Sequence, residues 1–166
     1  DGPRPPAHLA PRRAQPGSFH GFRHAVRRSA QLRSARHPAR PSLLRAAKEQ
    51  KLPVILSEHD FEKTPCLESL CALADKAIAL GADVVKFAFR VHSMEDVMVG
   101  VSLLQKYTHP MAVMGMGPLG ATSRLIYNQY GSVLTYGYLG STPTAPGQWS
   151  AALCKEALAK LLPAER

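Results

Sequence analysis

The sequence predicts an α/β protein with a parallel sheet, made of four strand–helix units behind a disordered basic leader. Three observations carry this reading. Short apolar runs alternate with stretches of helical periodicity. Strand starts recur ~20–30 residues apart, the spacing of βαβ units with right-handed crossovers. Charge and proline are concentrated at one end of the 166-residue chain. Four such units are half of an eight-unit barrel.

Residues 1–43 hold nine arginines against one acid, Asp1, together with half of the prolines and four histidines. Residues 44–166 hold twelve basic and eleven acidic residues, so the formal charge of +9 belongs almost wholly to the leader. With little apolar surface to bury, residues 1–43 are expected to stay disordered. A nucleic-acid arm would want stacking aromatics among its arginines, and only Phe19 and Phe22 are present. An organelle transit peptide would want an amphipathic helix, which Pro38 and Pro41 interrupt. The composition fits best a tail unrelated to the domain, of the kind a misread GC-rich frame produces. The start at Asp1 further suggests a fragment or a processed product.

The first strand is the apolar run Pro53–Ser57, too short for a helix and bounded by charge. Thr64 and Pro65 resemble an N-cap and first helical residue, with Leu67, Leu70, Cys71, Ala74 and Ile78 at helical spacing up to Gly81. A second strand is Asp83–Phe89, and Ser93 with Asp96 predicts a capped helix running to about Tyr107. A third strand, Met111–Gly115, precedes a helix over about 122–130. A fourth, Ser132–Tyr136, precedes a helix over about 149–162.

With 45% apolar and 20% charged residues, the chain has material for one core, and no run reaches the ~18 apolar residues of a membrane span. Cys66, Cys71 and Cys154 form an odd set with no CxxC pair, which argues against a disulfide framework or a zinc site and for a reducing cytoplasm. No metal or cofactor is expected.

In parallel α/β folds chemistry collects beyond the carboxyl ends of the strands. Lys86 lies inside Val84–Phe89, where desolvation favours the neutral amine that attacks a ketone to give a Schiff base. The plainer reading is a lysine whose stem reaches solvent at the strand end. His59 follows the first strand, within reach of Lys86, and an imidazole there can take a proton from carbon and return one to a leaving hydroxyl. Alone, it reads as a loop histidine held by Glu58 or Asp60. His92 and His109 read as surface residues.

Gly115-Met-Gly-Pro-Leu-Gly120 matches GxGxxG between a strand and a helix, but no Asp or Glu occurs from Val97 to Lys155 to hold a ribose. The glycines therefore suit close approach of backbone to a small ligand. The same acid-free stretch contains Arg124 near a helix start, which suits a carboxylate better than a solvated helix face does. Thr144 and Gln148 offer a hydroxyl and an amide on a Gly/Pro-rich loop able to fold over a ligand.

Ser57-Glu-His-Asp-Phe-Glu-Lys-Thr-Pro65, Gly81-Ala-Asp-Val-Val-Lys86, Met116-Gly117 leading to Ser123-Arg124, Leu134-Thr-Tyr-Gly137 and Ala145-Pro-Gly-Gln148 resemble, in order and spacing, the motifs of type I 3-dehydroquinate dehydratase. The resemblance covers about residues 44–166. It implies the C-terminal half of a TIM (β/α)8 barrel and a lyase of the shikimate pathway that turns 3-dehydroquinate into 3-dehydroshikimate and water without cofactor. It further implies that Lys86 forms the imine, His59 moves the protons, Arg124 holds the carboxylate, and Thr144, a serine in most of the family, contacts substrate with Gln148. The family's first four units, with a Glu-Trp-Arg-like motif, a Phe-Arg motif and the acid that partners the histidine, have no counterpart in residues 1–43. Four strands cannot close a barrel of eight, so edge strands and an inner apolar face would lie open. Two expectations follow: an enzyme that works as a homodimer or with a complementary N-terminal half-barrel, or a catalytically dead half-barrel that serves as an assembly module. Membrane and nucleic-acid partners are not expected.

Overall fold

The computed structural model describes residues 30–33, 40–144 and 147–161. They form a parallel four-stranded sheet with helices on one face. The strands are β1 (Ala30–Arg33), β2 (Val54–Asp60), β3 (Val84–Arg90) and β4 (Met111–Met116), in the spatial order β1-β2-β3-β4. The helices are α1 (Arg40–Glu49), α2 (Leu67–Ala79), α3 (Met94–Lys106), α4 (Gly120–Gln129) and α5 (Ala151–Leu161). Each strand pairs with the strand after it in the chain. His59 stands opposite Ala88, Lys86 opposite Ala112 and Arg90 opposite Met116.

Two apolar layers follow from the alternation of side chains along a strand. Val54, Leu56, Val85, Phe87, Phe89, Met111 and Val113 point toward the helices and meet Leu70, Ala74, Val97, Val101, Leu104 and Tyr127. Phe89 and Tyr127 pack edge to face with ring centroids 6.4 Å apart, a geometry worth roughly 0.5–1.5 kcal/mol beyond area burial. On the other face Ile55, Val84, Ala88, Ala112, Met114 and Met116 form a second layer, against which Val133, Leu134 and Tyr136 pack. This inner layer is buried, contrary to the open apolar face expected of an unclosed barrel. The segment after Ser132 folds across it.

Local signals account for most boundaries. Ser93 and Asp96 form a reciprocal capping box at the start of α3, as the sequence predicts. The Asp83 carboxylate accepts from the Val54 N–H at 2.7 Å and ties the starts of β2 and β3 together. Gly81, at φ +84°, supplies the left-handed turn after α2.

Four expectations are corrected. The expected division at residue 43 cuts through structure: β1 and the start of α1 lie before it, and β1 extends the sheet beside β2 over Val54–Ser57. The rest of the expected leader, 1–29 and 34–39, lies outside the described residues. Thr64 does not cap α2, which begins at Leu67 after Cys66; its hydroxyl donates to the Arg90 carbonyl at 2.7 Å and fastens the loop to the end of β3. β2 runs to Asp60 and so includes His59 rather than ending before it.

Last, Ser132–Tyr136 forms no strand. The Val133 N–H does donate to the Met111 carbonyl at 2.9 Å, but the Ser132 hydroxyl occupies Val113, accepting from its N–H at 3.0 Å. Farther on, the Tyr136 carbonyl is taken by the side chains of Arg124 and Gln148. Side-chain bonds thus replace the ladder, leaving a single parallel bridge between Tyr138 and Ser150.

Candidate active site

Lys86 and His59 both stand on the inner face, on adjacent strands. Lys86 shares the parity of Val84 and Ala88, and His59 that of Ile55, so the ladder brings both side chains to one side of the sheet. Lys86 Nζ and His59 Nε2 share a hydrogen bond of 3.0 Å. Lys86 is only 9% exposed, and its Nζ lies 5.2 Å from the centroid of the Tyr136 ring. Such a site withholds solvation from an ammonium while the aromatic face offers it partial compensation. Phe61 packs edge to face on His59 at 5.9 Å and is largely exposed, which marks this end of the sheet as the mouth.

Neighbouring groups are already engaged. Asp60 Oδ1 accepts from the N–H groups of Glu62 and Lys63, and so closes the turn after β2. His92 is exposed, with Nε2 3.1 Å from the Glu62 carbonyl. His109 is less of a surface residue than its position suggests, since its Nε2 is buried.

Arg124 lies in the second turn of α4 and is 4% exposed. Its Nε donates to the Gly115 carbonyl at 3.2 Å and its Nη1 to the Tyr136 carbonyl. Burial pushes the guanidinium below its ordinary range, while Cys154 acts in the opposite direction. The Cys154 thiol is in turn pushed up by burial and drawn down by Arg124. The structure therefore brings Arg124 to the glycine turn, but through carbonyls rather than through the open N–H groups of a helix end.

Gln148 Nε2 donates to the same Tyr136 carbonyl at 3.4 Å, and its Oε1 accepts from the Thr144 N–H at 3.0 Å and the Thr144 hydroxyl at 2.7 Å. Arg124 and Gln148 thus meet at one peptide group, and Thr144 is held to it through Gln148. The ring of that same Tyr136 faces Lys86. Gly147, at φ +69°, sits so close to Gly117 that a Cβ would come within 2.1 Å of the Gly117 carbonyl oxygen. Only glycine lets the loop lie on the glycine turn this way.

Tyr136 carries no signal in the sequence that marks it as a site residue, although it lies within Leu134-Thr-Tyr-Gly137. Aromatic residues near strand ends are too common to be informative before the neighbour is known. Arg90 also escaped notice, although it follows Lys86 by four residues on the same face of β3.

The type I 3-dehydroquinase family matches residues 34–162. The chain belongs to that family. A relative named 3-dehydroquinate dehydratase from Methanococcus maripaludis is 37% identical over 105 residues, covering 63% of this chain and 48% of the relative. Another, from Methanothrix thermoacetophila, is 39% identical over 113 residues, covering 68% and 47%. Among solved structures, the 3-dehydroquinate dehydratase of Geobacillus kaustophilus superposes with a TM-score of 0.73 at 30% identity over 82% of this chain and 54% of that one. The type I enzyme of Clostridium difficile, solved with covalently modified comenic acid, gives 0.72 at 27% identity over 84% and 56%. The chain spans about half the length of the curated relatives it matches. Its parallel sheet with helices corresponds to part of their barrel. No helix among the described residues is long and apolar enough to cross a membrane.

Proposed function

We propose that this chain carries the imine-forming part of a 3-dehydroquinate dehydratase. The observation that carries the reading is the 3.0 Å contact between Lys86 Nζ and His59 Nε2 on a buried strand face. The neutral Lys86 amine adds to the substrate ketone, and loss of one water gives the imine. His59 removes a proton from the adjacent carbon, the electron pair moves into the enamine, and its return expels the β-hydroxyl. That hydroxyl leaves as a second water with the proton His59 returns. Hydrolysis consumes one water, frees Lys86 and releases the unsaturated ketone, so the net change is loss of one water. Arg124 holds the carboxylate, and Gln148 and Thr144 contact the substrate from the loop. The residues present account for these steps without a metal or cofactor.

The test is incubation with dehydroquinate and borohydride, which reduces an imine to a stable secondary amine. The expected result is a mass gain mapped to Lys86; a folded chain left unmodified would end the proposal.

A second reading is favoured by the coverage of the relatives and by the edge strands β1 and β4. In it the chain is a catalytically dead half-barrel that serves as an assembly module, docking through those edges on a second copy or on a complementary half-barrel. A homodimer or stable complex on size-exclusion chromatography, with no borohydride-trapped adduct and no turnover, is its expected signature.

A further inference from the structure

We propose that Arg90 is a second anion-binding residue of the site, a donor to the carboxylate-bearing ring that the proposed dehydratase reaction uses. This extends the function proposed above and does not depend on imine chemistry.

Three observations converge. Strand alternation puts Arg90 on the inner face with Lys86 and Ala88, at the mouth, opposite Met116. Its stem lies along the glycine turn, since a Cβ on Gly117 would come 3.3 Å from Arg90 Cγ and 3.6 Å from its Nε. That Nε is buried and has no hydrogen-bond partner among the described residues. A buried donor left unmade is costly, and it is most simply satisfied by an acceptor that arrives with a ligand.

The charge balance points the same way. Arg124 grips this turn at the Gly115 carbonyl, so two guanidiniums meet one glycine turn. No acid occurs between Val97 and Lys155. Two cationic side chains thus approach a stretch of chain that has no acid of its own, a setting that favours an anion. Arg124 already spends Nε and Nη1 on backbone carbonyls, whereas Arg90 is only partly buried and has donors to offer at the rim. The ligand class is a small carboxylate with ring hydroxyls, spanning the space between Arg90 and the loop that carries Gln148.

Quinate is a suitable probe because it bears the carboxylate and hydroxyls but no ketone. Calorimetric titration of the whole chain should show binding that Arg90→Gln weakens roughly 10- to 100-fold, the range for one charge-assisted hydrogen bond. Arg90→Lys, which keeps the charge but loses the planar fork, should fall between the two. Lys106→Gln, which removes an exposed charge at the far end of the sheet, should change nothing. Native melting of Arg90→Lys keeps the comparison readable if Arg90→Gln is unfolded. Equal quinate affinity in folded wild type and Arg90 variants, or no binding of millimolar quinate to folded wild type, overturns the assignment. Arg90-dependent quinate binding without borohydride trapping would retire the imine reading and leave this site standing. Trapping with Arg90-independent quinate binding would do the reverse.

Discussion

Lys86 and His59 are fixed on neighbouring paired strands, whereas Arg124 and Gln148 hang on side-chain bonds that converge at the Tyr136 carbonyl, with Thr144 tied to Gln148. The first pair cannot move without breaking the β2–β3 ladder. The second set can trade a protein carbonyl for a ligand oxygen as acceptor, while the carbonyl given up turns to another donor. On the function proposed above, the reacting atoms stand on paired strands, and the groups expected to grip the substrate stand on side-chain bonds that a ligand oxygen can replace. The division agrees with the need to place reacting groups within a fraction of an ångström while a loop admits and releases the ligand.

The comparison breaks most visibly on the ladder side. Lys86→Met should abolish the borohydride-reducible adduct altogether, with circular dichroism and melting close to wild type, because a buried thioether replaces an amine on an apolar face. Residual adduct at another lysine would move the chemistry away from β3. His59→Asn should still form adduct, but dehydration turnover should fall by roughly 10²–10⁴, the usual contribution of a positioned acid–base group. Measured beside Lys86→Met in a turnover-competent assembly, it separates attack from proton transfer; equal loss of adduct in both would mean that His59 acts only by holding Lys86.

On the loop side the expected effects are smaller. Gly147→Ala places a methyl within 2.1 Å of the Gly117 carbonyl oxygen at a φ of +69°, so the loop must lift from the turn. The conformational strain is about 1–2 kcal/mol. The expected readout is a severalfold rise in the dehydroquinate concentration that half-saturates trapping, with the yield at saturation unchanged. A drop in saturating yield instead would show that the loop also positions Lys86.

The same division explains what was legible in the sequence. Three strands and the helices after them were readable because Val54–Leu56, Val84–Phe89 and Met111–Met114 are buried on both faces and so carry continuous apolar runs. The Ser93–Asp96 cap is local and was equally readable. Lys86 could be singled out because a polar residue in such a run is conspicuous, and His59 because it follows the neighbouring run and falls beside it. The segment Ser132–Tyr136 has the composition of a strand, yet its Ser132 hydroxyl takes the Val113 N–H and its Tyr136 carbonyl accepts from Arg124 and Gln148, partners twelve to nineteen residues away. β1 was missed for the opposite reason: Ala30–Arg33 is short and sits in an arginine-rich stretch, and only its pairing with β2 makes it a strand. Arg90 needed the Gly117 contact before its position on the face meant anything.

The two regions should also part under alkali. Tyr127 is fully buried on α4, the helix that carries Arg124, and its hydroxyl has no hydrogen-bond partner among the described residues. Burial, and then the negative charge of Asp96, push its ionisation well above the ordinary tyrosine range. The folded chain thus keeps a proton that the unfolded chain gives up near pH ~10. Above that point the folded state binds more protons, so stability falls as pH rises toward the folded value, by at most about 1.4 kcal/mol per pH unit for this group. Below pH ~10 the contribution is fully present. Tyr107, raised by burial and then by its bond to Asp75, adds to the trend with the same sign. Hydrogen exchange at pH 8 and 10.5, corrected for the intrinsic rate, should show α4 losing protection before β2 and β3. Tyr127→Phe removes the titrating hydroxyl and should flatten the difference. Uniform loss of protection across sheet and helix, unchanged in Tyr127→Phe, would mean that the two regions open as one unit.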